Sequence, residues 1–402
     1  MGLSFLWKFI SYCKNGDLNG IIEKGDIMKK TLMALGLSGL LILSGCKNQG
    51  ANNIKNESTN SSESVASLEV NKDGDKQEIE FYDTFDTVIH IAIYTDDDDF
   101  AKENLAYAKE RYQELHKLFD NYKNYEGLVN VKTVNDEAGV KPVVVDDTLF
   151  DLIKTSVDDY KNISHNTNVA LGPVTKLWNE YRDLYEGGKT KEEVIALKGQ
   201  ALPSDEELEK LRPLTNIENV KLDEGEKSVY LEEGMELDLG ATAKGYATEL
   251  VAQELRERGV TSCVVSAGGN VRIIGKPTDG RENFRIGIQN PDLESPEQVL
   301  TTLNVANTSI VTSGDYQRYF ELDGVRYCHI IDPDTLKPAH EIKSVTVIKD
   351  DSGLCDFLST AAFNSTYDEI RDLSEKSDAA IVWVDKDMNM MASENAEKYL
   401  DE

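Results

Sequence analysis

The sequence contains few cysteines, and their spacing is irregular. Cys13 and Cys46 lie near the start, and Cys263, Cys328 and Cys355 are far apart in the second half. Three such distant cysteines cannot all pair, and they lack the short spacing of a metal site. The sequence therefore argues against a disulfide framework and a cysteine-ligated metal. Cys263 lies in an apolar stretch, and we interpret it as a core residue.

Positive charge is also scarce. The 402 residues include 43 lysines and arginines against 73 aspartates and glutamates, which gives a net charge of −30. A protein that binds DNA or RNA needs a basic face, so this composition argues against a nucleic-acid partner. An acidic surplus mostly favours solubility and leaves room for a local basic pocket. The length is sufficient for a sizeable core.

No apolar run in the sequence is long enough to span a bilayer. The run from Leu32 to Leu43 follows a basic start at Met28-Lys29-Lys30, a pattern typical of a signal peptide. It ends in Leu43-Ser44-Gly45-Cys46, which resembles the lipobox of bacterial lipoproteins, where the cysteine is lipidated. The alternative is an ordinary signal peptide with a cysteine there by chance.

These features predict the organisation of the chain. We expect residues 1–27 to be an upstream over-extension and residues 28–45 to be a lipoprotein signal peptide. Residues 46–76 are polar and are expected to form a disordered tether from lipidated Cys46. Residues 77–402 are expected to form the folded domain. Acyl chains at Cys46 would hold the protein on the extracytoplasmic face of the cell membrane.

The stretch from Leu237 to Ala247 predicts a short strand, a tight turn and the start of a helix, which Gly259 ends. Lys244 lies in the first helical turn, where the helix dipole disfavours a cation, and Asp238 lies just before it. An anion bound between Lys244 and the free backbone N–H groups would explain this arrangement. The alternative is a solvated lysine on a surface helix.

A second pair of polar residues lies near the carboxyl end of the chain. Asp356 and Thr360 are four residues apart on a predicted helix, so both oxygens project from one face. A carboxylate and a hydroxyl are hard oxygen ligands suited to Mg²⁺. The alternative is that Asp356 is a helix N-cap and that Thr360 faces the core.

The sequence lacks a Gly-x-Ser-x-Gly motif, and so a Ser-His-Asp hydrolase is not indicated. Of the five histidines, His329 is distinctive because it lies between a predicted hairpin and the Asp332-Pro333 turn. A single histidine is more often structural than catalytic. Ser313 and Asp315 lie a short distance upstream.

Several of these segments together resemble the FAD:protein FMN transferase family, also called the ApbE family, from about Phe81 to Met391. The resemblance rests on short motifs in the family's order: Asp238-Leu239-Gly240 with Ala243-Lys244-Gly245-Tyr246-Ala247, Gly268-Gly269-Asn270, Ser313-Gly314-Asp315-Tyr316, His329-Ile330-Ile331-Asp332-Pro333, and Asp356 with Leu358-Ser359-Thr360-Ala361. It implies an α+β fold, with antiparallel sheets, helices packed on one side and a T-fold-like core.

The resemblance also implies a reaction. Such enzymes bind FAD and Mg²⁺, transfer FMN to a Thr or Ser hydroxyl of an acceptor flavoprotein, and release AMP. Acceptors of membrane or extracellular electron transfer are expected. For the base we expect His329, whose ordinary pKa near 6.5 suits the role, oriented by Asp332 or Asp315. Lys244 is expected to neutralise charge on the diphosphate.

The resemblance assigns further site residues by position. The expected FAD contacts are Phe85, Tyr122, Asn166, Thr167, Asn168, Asp238, Lys244, Ile330 and Ile331. The expected Mg²⁺ ligands are the Ala241 carbonyl, Asp356 and Thr360. Asn166-Thr167-Asn168 departs from the Phe-Asp or Met-Asp pair that the family often has there. Two alternative functions therefore stay open: an FAD-binding lipoprotein without transfer activity, and an FAD pyrophosphatase.

Overall fold

The computed structural model of the protein describes residues 69–400. The predicted leader, Cys46 and the tether as far as residue 68 lie outside this range. Strand pairing begins at Asn71, so the folded part starts before the expected boundary at residue 77. Within the described range, no helix combines the length and the apolar content needed to cross a membrane.

The strands and helices follow one another along the chain. The strands are β1 (Asn71–Asp73), β2 (Lys76–Thr84), β3 (Thr87–Tyr94), β4 (Val143–Val144), β5 (Lys221–Asp223), β6 (Ser228–Tyr230), β7 (Cys263–Ala267), β8 (Asn270–Ile274), β9 (Phe284–Gln289), β10 (Val299–Val305), β11 (Ser309–Gly314), β12 (Tyr319–Leu322), β13 (Val325–Cys328), β14 (Ile331–Asp332), β15 (Lys337–Pro338), β16 (Ile342–Lys349), β17 (Ala380–Asp385) and β18 (Met390–Ala392). The α-helices are α1 (Asp98–Phe119), α2 (Val131–Asp136), α3 (Asp147–Asn162), α4 (Gly172–Glu186), α5 (Lys191–Lys198), α6 (Asp205–Leu211), α7 (Ala243–Glu257), α8 (Ser352–Phe363) and α9 (Tyr367–Ser377). Short 3₁₀ helices span Arg212–Thr215, Ile217–Asn219 and Glu394–Tyr399.

The main sheet has nine strands in the order β1-β2-β3-β7-β8-β11-β16-β17-β18. Every neighbouring pair in it is antiparallel. Its central strands β7 and β8 are buried along their whole length. Burial of both faces explains why β7 is mostly apolar, with Ser266 as its one polar residue, rather than alternating. The prediction of an α+β fold built on antiparallel strands is confirmed.

The helices α1, α7 and α8 form one layer on this sheet. Helix α1 packs on β2 and α7, and α7 packs on α8, which itself lies on β11 and β16. The predicted apolar faces are the buried ones: the buried residues of α1 include Leu105, Ala108, Tyr112, Leu115 and Phe119, and those of α7 include Ala243, Ala247, Val251 and Leu255. Gly259, with φ +95°, follows α7 as expected.

Helix α4 does not pack in that layer but in a separate small apolar cluster. Trp178 stacks on Tyr327 of β13 and donates from Nε1 to the Leu336 carbonyl at 2.9 Å. Tyr327 stacks in turn on Phe320 of β12. These contacts place α4 beside the segment that carries His329.

One local prediction was wrong. Residues 235–239, predicted as a strand, form none; the Asn135 side chain bonds both the N–H and the carbonyl of Leu237, at 2.7 and 2.9 Å. Side-chain bonds of this kind satisfy a buried backbone without a sheet partner. The pattern of residues 192–211 predicts charged helical structure with a capped helix start at residues 203–207. The structure has α5 and α6 there, and a capping box of Ser204 and Glu207 starts α6 as predicted.

Candidate functional site

The site is organised by the close crossing of α7 and α8 near their N-terminal ends. A Cβ added at Gly245 would lie 2.3 Å from the Ser352 carbonyl oxygen and 2.4 Å from Asp356 Cβ. Only glycine therefore allows the two helices to approach this closely. The short motif around Lys244 needs its glycine for packing, a reason that the sequence alone did not reveal.

Each of these helices caps the other with a carboxylate. Asp356 Oδ2 in α8 accepts a 2.8 Å hydrogen bond from the Gly245 N–H in the first turn of α7. Glu249 Oε2 in α7 accepts from the Ser352 N–H at 2.9 Å, in the first turn of α8. Negative charge at a helix N-terminus is stabilised by the free N–H groups and the dipole. Asp356 is thus a cap, although of α7 rather than of its own helix, whose N-cap is Asp351.

Lys244 lies beside this carboxylate. Its Nζ is 4.0 Å from Asp356 Oδ1 and 3.5 Å from the Gly240 carbonyl oxygen. Burial raises the pKa of Asp356 above its ordinary value, and the Lys244 charge and the Gly245 N–H oppose that rise. Lys244 keeps about a quarter of its side chain exposed, so an anion can reach it. The solvated-lysine alternative is not what the structure shows.

The three expected metal ligands lie on the two segments that cross here. Thr360 is one turn beyond Asp356 in α8, and no residue within 69–400 forms a hydrogen bond with its hydroxyl. Ala241 lies in the turn before α7; since the Gly245 N–H is directed to Asp356, the Ala241 carbonyl is left without a helical partner in this part of the chain. One carboxylate, one hydroxyl and one carbonyl suit a hydrated Mg²⁺. The described residues include no cluster of three or more His, Cys, Asp or Glu side chains suited to a metal, and this ligand set needs none.

The Asn270 side chain also lies at this crossing. Asn270 is 1% exposed, and hydrogen bonding from its side-chain amide opposes the rise in the pKa of Asp356. Its Nδ2 lies 3.1 Å from the position of an added Cβ at Gly245. The Asn270 amide is therefore one of the polar groups around the Asp356 carboxylate.

Asp238 is fixed on both of its oxygens. The Thr175 hydroxyl of α4 donates to Oδ2 at 2.8 Å, and the Gly240 N–H donates to Oδ1 at 2.9 Å. The second bond forms a tight turn that leads into α7. Asp238 therefore ties α4 to the Lys244 segment. Contact with FAD stays a prediction.

His329 faces a recess between β13 and α4. Its Nδ1 is 3.3 Å from the Arg318 carbonyl oxygen, which also accepts the His329 backbone N–H at 3.0 Å. A carbonyl only accepts, so the proton lies on Nδ1 and the Nε2 lone pair is free. Burial, with the charges of Arg318 and Lys244 next in weight, lowers the pKa of His329 to about 3. The ring is therefore neutral at pH 7, whereas the value near 6.5 applies to an unperturbed histidine.

The two carboxylates proposed to orient His329 form contacts with other groups instead. Asp315 is buried and ion-paired with Arg326 at 3.0 Å and Lys343 at 2.9 Å. Asp332 accepts from the Asp334 N–H and the Thr335 hydroxyl within its own turn. Neither bonds the imidazole. The group that orients it is a backbone carbonyl, which sequence motifs do not reveal.

The recess beside His329 is open to solvent. One wall is a single face of α4, where residues recur at three- and four-residue spacing. The lining residues are Thr175, Trp178, Asn179 and Arg182 of α4 with Phe320, Tyr327, Cys328, His329 and Ile331. Ile331 is thus placed at the recess as expected, whereas Ile330 packs into the core cluster with Val311 and Phe357.

Phe85 and Tyr122 occupy different environments. Phe85 is half-buried and packs edge-on against Tyr112 and His116. Tyr122 is 68% exposed, and its hydroxyl accepts a 3.4 Å bond from Asn179 of the recess wall. An exposed ring at the rim is available for stacking on a planar ligand. Flavin contact by either residue stays a prediction.

The segment Asn166-Thr167-Asn168 uses its polar groups within the protein. Thr167 donates to the Phe357 carbonyl at 3.0 Å, next to Asp356. Asn168 donates to the Thr215 carbonyl and accepts from the Ala170 N–H, and Asn166 donates to Ser365. These bonds attach the segment to α8 and to the start of α4. The structure does not place the three residues on the recess, and their role with FAD stays a prediction.

Two arginines near the site were missed. Arg182 lines the recess with His329, and its nearest carboxylates, Asp183 and Glu186, are 3.6 and 3.9 Å away. Arg318 donates to two backbone carbonyls. Both lie close enough to His329 to lower its pKa. The sequence signal for Arg182 was its helical spacing from Trp178 and Asn179. The only sequence signal for Arg318 was its position after the Ser313–Tyr316 motif. Together with Lys244 they form a local basic pocket in an acidic chain.

Comparison with known proteins agrees with this geometry. The model of the ApbE family matches residues 85–383. A Klebsiella pneumoniae FAD:protein FMN transferase is 33% identical over 287 residues, covering 69% of this chain and 84% of that protein. The Treponema pallidum FAD:protein FMN transferase is 34% identical, covering 59% and 65%. The crystal structure of the Thermotoga maritima ApbE protein superposes with a TM-score of 0.70 at 27% identity, covering 81% of this chain and all of that one. The chain therefore belongs to the ApbE family.

Proposed function

We propose that this protein transfers FMN from FAD to a Thr or Ser hydroxyl of acceptor flavoproteins and releases AMP. The observation that carries the proposal is one juxtaposition. A neutral histidine with a free Nε2 lies at a recess whose surroundings include Lys244, Arg182 and Arg318. A base beside a cationic pocket is what attack of a hydroxyl on a diphosphate requires.

His329 is the proposed general base. Its Nε2 would accept the proton of the incoming hydroxyl while the Arg318 carbonyl holds Nδ1–H. Of the cations that lower its pKa, Lys244 and Arg182 are the groups that would contact the diphosphate. Because a bound dianion offsets positive charge, FAD would raise the basicity of His329 at the moment it is needed.

Lys244 is proposed to bind the diphosphate at the start of α7, where free N–H groups and the helix dipole also favour an anion. Asp356, Thr360 and the Ala241 carbonyl would hold Mg²⁺. The ion would supply charge neutralisation on the phosphoryl oxygens. The donor set, one carboxylate, one hydroxyl and one carbonyl, supports this assignment.

Membrane attachment through Cys46 belongs to the same proposal. The lipobox-like Leu43-Ser44-Gly45-Cys46 and the polar residues that follow support an anchored enzyme on the extracytoplasmic face. Its acceptors would be flavoproteins of membrane or extracellular electron transfer. Labelling of cells with a radioactive fatty acid, followed by recovery of wild type and Cys46→Ala, tests the anchor; an unlabelled wild type would refute it.

One experiment tests the reaction. The protein is incubated with FAD, Mg²⁺ and an acceptor flavoprotein domain that carries a Ser/Thr-Gly-Ala-Thr-like site, and in-gel flavin fluorescence and AMP are measured. A fluorescent acceptor with equimolar AMP supports transfer. AMP and free FMN without a labelled acceptor would show a pyrophosphatase, and neither product would show a binding protein.

Matched variants sharpen the test of the base. His329→Ala should bind FAD and lose transfer. His340→Ala is the control, because His340 is exposed and paired only with Glu341 at 3.5 Å. Transfer that survives in His329→Ala would refute the assignment of the base.

A further inference from the structure

Arg318 is an exposed arginine that forms no ion pair with any carboxylate of the described chain. This is unexpected in a protein with so many acidic residues. Its guanidinium instead donates from Nη2 to the carbonyl oxygens of Asp86 at 3.1 Å and Phe85 at 3.4 Å. Side-chain bonds from a cation to two adjacent carbonyls fix a backbone segment.

The segment that Arg318 holds is a strained turn. Phe85 and Asp86 connect β2 and β3 with φ angles of +52° and +49°. A two-residue hairpin of this geometry favours Asn-Gly, and a bulky residue at positive φ is disfavoured. The turn between β7 and β8 approaches the start of β3 closely, because a Cβ added at Gly268 would lie 1.9 Å from Thr87 Oγ1. The Phe85–Asp86 turn therefore needs external contacts to keep its shape.

Two contacts supply that support. The Phe85 N–H donates to His116 Nδ1 at 3.2 Å from the side of α1. Arg318 bonds the carbonyls from the opposite segment, the loop between β11 and β12. The same residue, through its own carbonyl, bonds the N–H and the Nδ1 of His329. A single residue thus joins the turn at Phe85 to the imidazole at the recess.

We propose that Arg318 is a positioning residue that holds the Phe85–Asp86 turn with its guanidinium and fixes the tautomer of His329 with its carbonyl. The inference rests on the proposed function, in which Phe85 contacts FAD, and adds to it. The Arg318 carbonyl lies at the end of the β12–β13 ladder, next to the pair Tyr319–Cys328. The guanidinium holds this end of the hairpin against the turn, so loss of the side chain should disturb both ends of the link. Arg318 acts through Phe85 and His329 rather than by contacting the reacting atoms.

The first test measures the turn. Arg318→Ala should raise the Kd for FAD, measured by flavin fluorescence, about tenfold, the scale of a lost charge-assisted hydrogen bond. The Kd of Arg318→Lys for FAD should lie between that of wild type and that of Arg318→Ala. In the double variant Arg318→Ala/Asp86→Gly, FAD affinity should return towards wild type, because glycine adopts positive φ without strain. Arg281→Ala, which removes an exposed arginine paired with Asp279, is the control.

Rescue by Asp86→Gly separates positioning from direct contact. If Arg318 bound the FAD diphosphate itself, a glycine in the turn could not restore affinity. A double variant as weak as Arg318→Ala would therefore overturn the proposal. Unchanged affinity in Arg318→Ala would overturn it too.

The second test measures the imidazole without any substrate. In ¹⁵N-histidine-labelled protein, the His329 signal, assigned by its loss in His329→Gln, should show protonated Nδ1 in wild type and a tautomer mixture in Arg318→Ala. An identical tautomer in both proteins would contradict the proposal. Because FAD affinity and tautomer are read without turnover, they can uphold the positioning role even if the wild type transfers no FMN, and then only the proposed function fails.

Discussion

Replacement of Gly245 by alanine tests the closest contact in the site. The new Cβ would lie 2.3 Å from the Ser352 carbonyl oxygen and 2.4 Å from Asp356 Cβ. One neighbour is backbone and the other is the first side-chain carbon, so neither can rotate away. The helices would have to separate, and the 2.8 Å bond from the Gly245 N–H to Asp356 would lengthen or break.

Two destabilising effects and one stabilising effect set the expected change in the free energy of unfolding. Overpacking of a core contact costs about 1–3 kcal/mol, and loss of a hydrogen bond to a charged group costs about 1.5–3 kcal/mol. The better helix propensity of alanine returns at most about 1 kcal/mol. We therefore expect the free energy of unfolding to fall by roughly 1.5–6 kcal/mol, against a typical total of about 5–15 kcal/mol.

Urea unfolding of the folded domain measures this change, as a shift in midpoint at constant slope. Gly353→Ala is the matched control, because its added Cβ would meet Asp351 Oδ1 at 3.2 Å and Tyr246 Cα at 3.4 Å, near ordinary contact distances. It lies at the same crossing and should change stability little. A Gly245→Ala protein as stable as wild type would refute the account of the crossing.

Three further predictions concern the same site. Glu249→Ala should lower the free energy of unfolding by about 3–5 kcal/mol in urea, because it leaves Arg272, now 3.0 Å away, buried without its partner; a change below about 1 kcal/mol would contradict this. Lys244→Ala should raise the Kd for FAD about tenfold. Asp356→Ala should abolish transfer, and it should also abolish the shift of melting temperature that Mg²⁺ produces. If Mg²⁺ still shifts the melting temperature of Asp356→Ala, the proposed ligand set is wrong. Because the pKa of His329 is lowered to about 3, the unfolded state binds a proton below about pH 6.5 that the folded state does not. Stability should therefore fall as pH falls from about 6.5 towards 3, less steeply in His329→Gln, and equal slopes in the two proteins would contradict the shift.

Periodic patterns were the most reliable part of the sequence. The apolar spacing in residues 100–121 predicts a helix whose buried face includes Leu105, Tyr112 and Leu115, and all three are fully buried in α1. The pattern of residues 147–162 predicts a helix with the bounds that α3 has, Asp147–Asn162. The strand predicted for the segment before Lys244 is absent from the structure. Leu237 and Leu239 alternate as in a strand and are buried, yet their backbone is held by Asn135 and by Leu239's own turn. Local alternation cannot distinguish a strand from an extended segment whose hydrogen-bond partners come from elsewhere in the chain.

The candidate site also has features that the sequence predicts and features that only the tertiary structure shows. The motifs identified Lys244, Asp356 and His329, because their residue types and order are local properties of the chain. The sequence could not show that Asp356 caps α7, or that a carbonyl orients His329 in place of Asp315 or Asp332. It also could not show that cations from α4 and the β11–β12 loop converge on the imidazole.

By itself, the sequence determined the family, the buried faces of the helices and the candidate site residues. The tertiary structure alone decided what each of them faces. The helix crossing at Gly245 brings residues 111 positions apart into hydrogen-bond contact, and the pKa of His329 is set by burial and by charges on other elements. Both depend on distances between segments remote in the chain, and neither spacing nor composition encodes such distances directly.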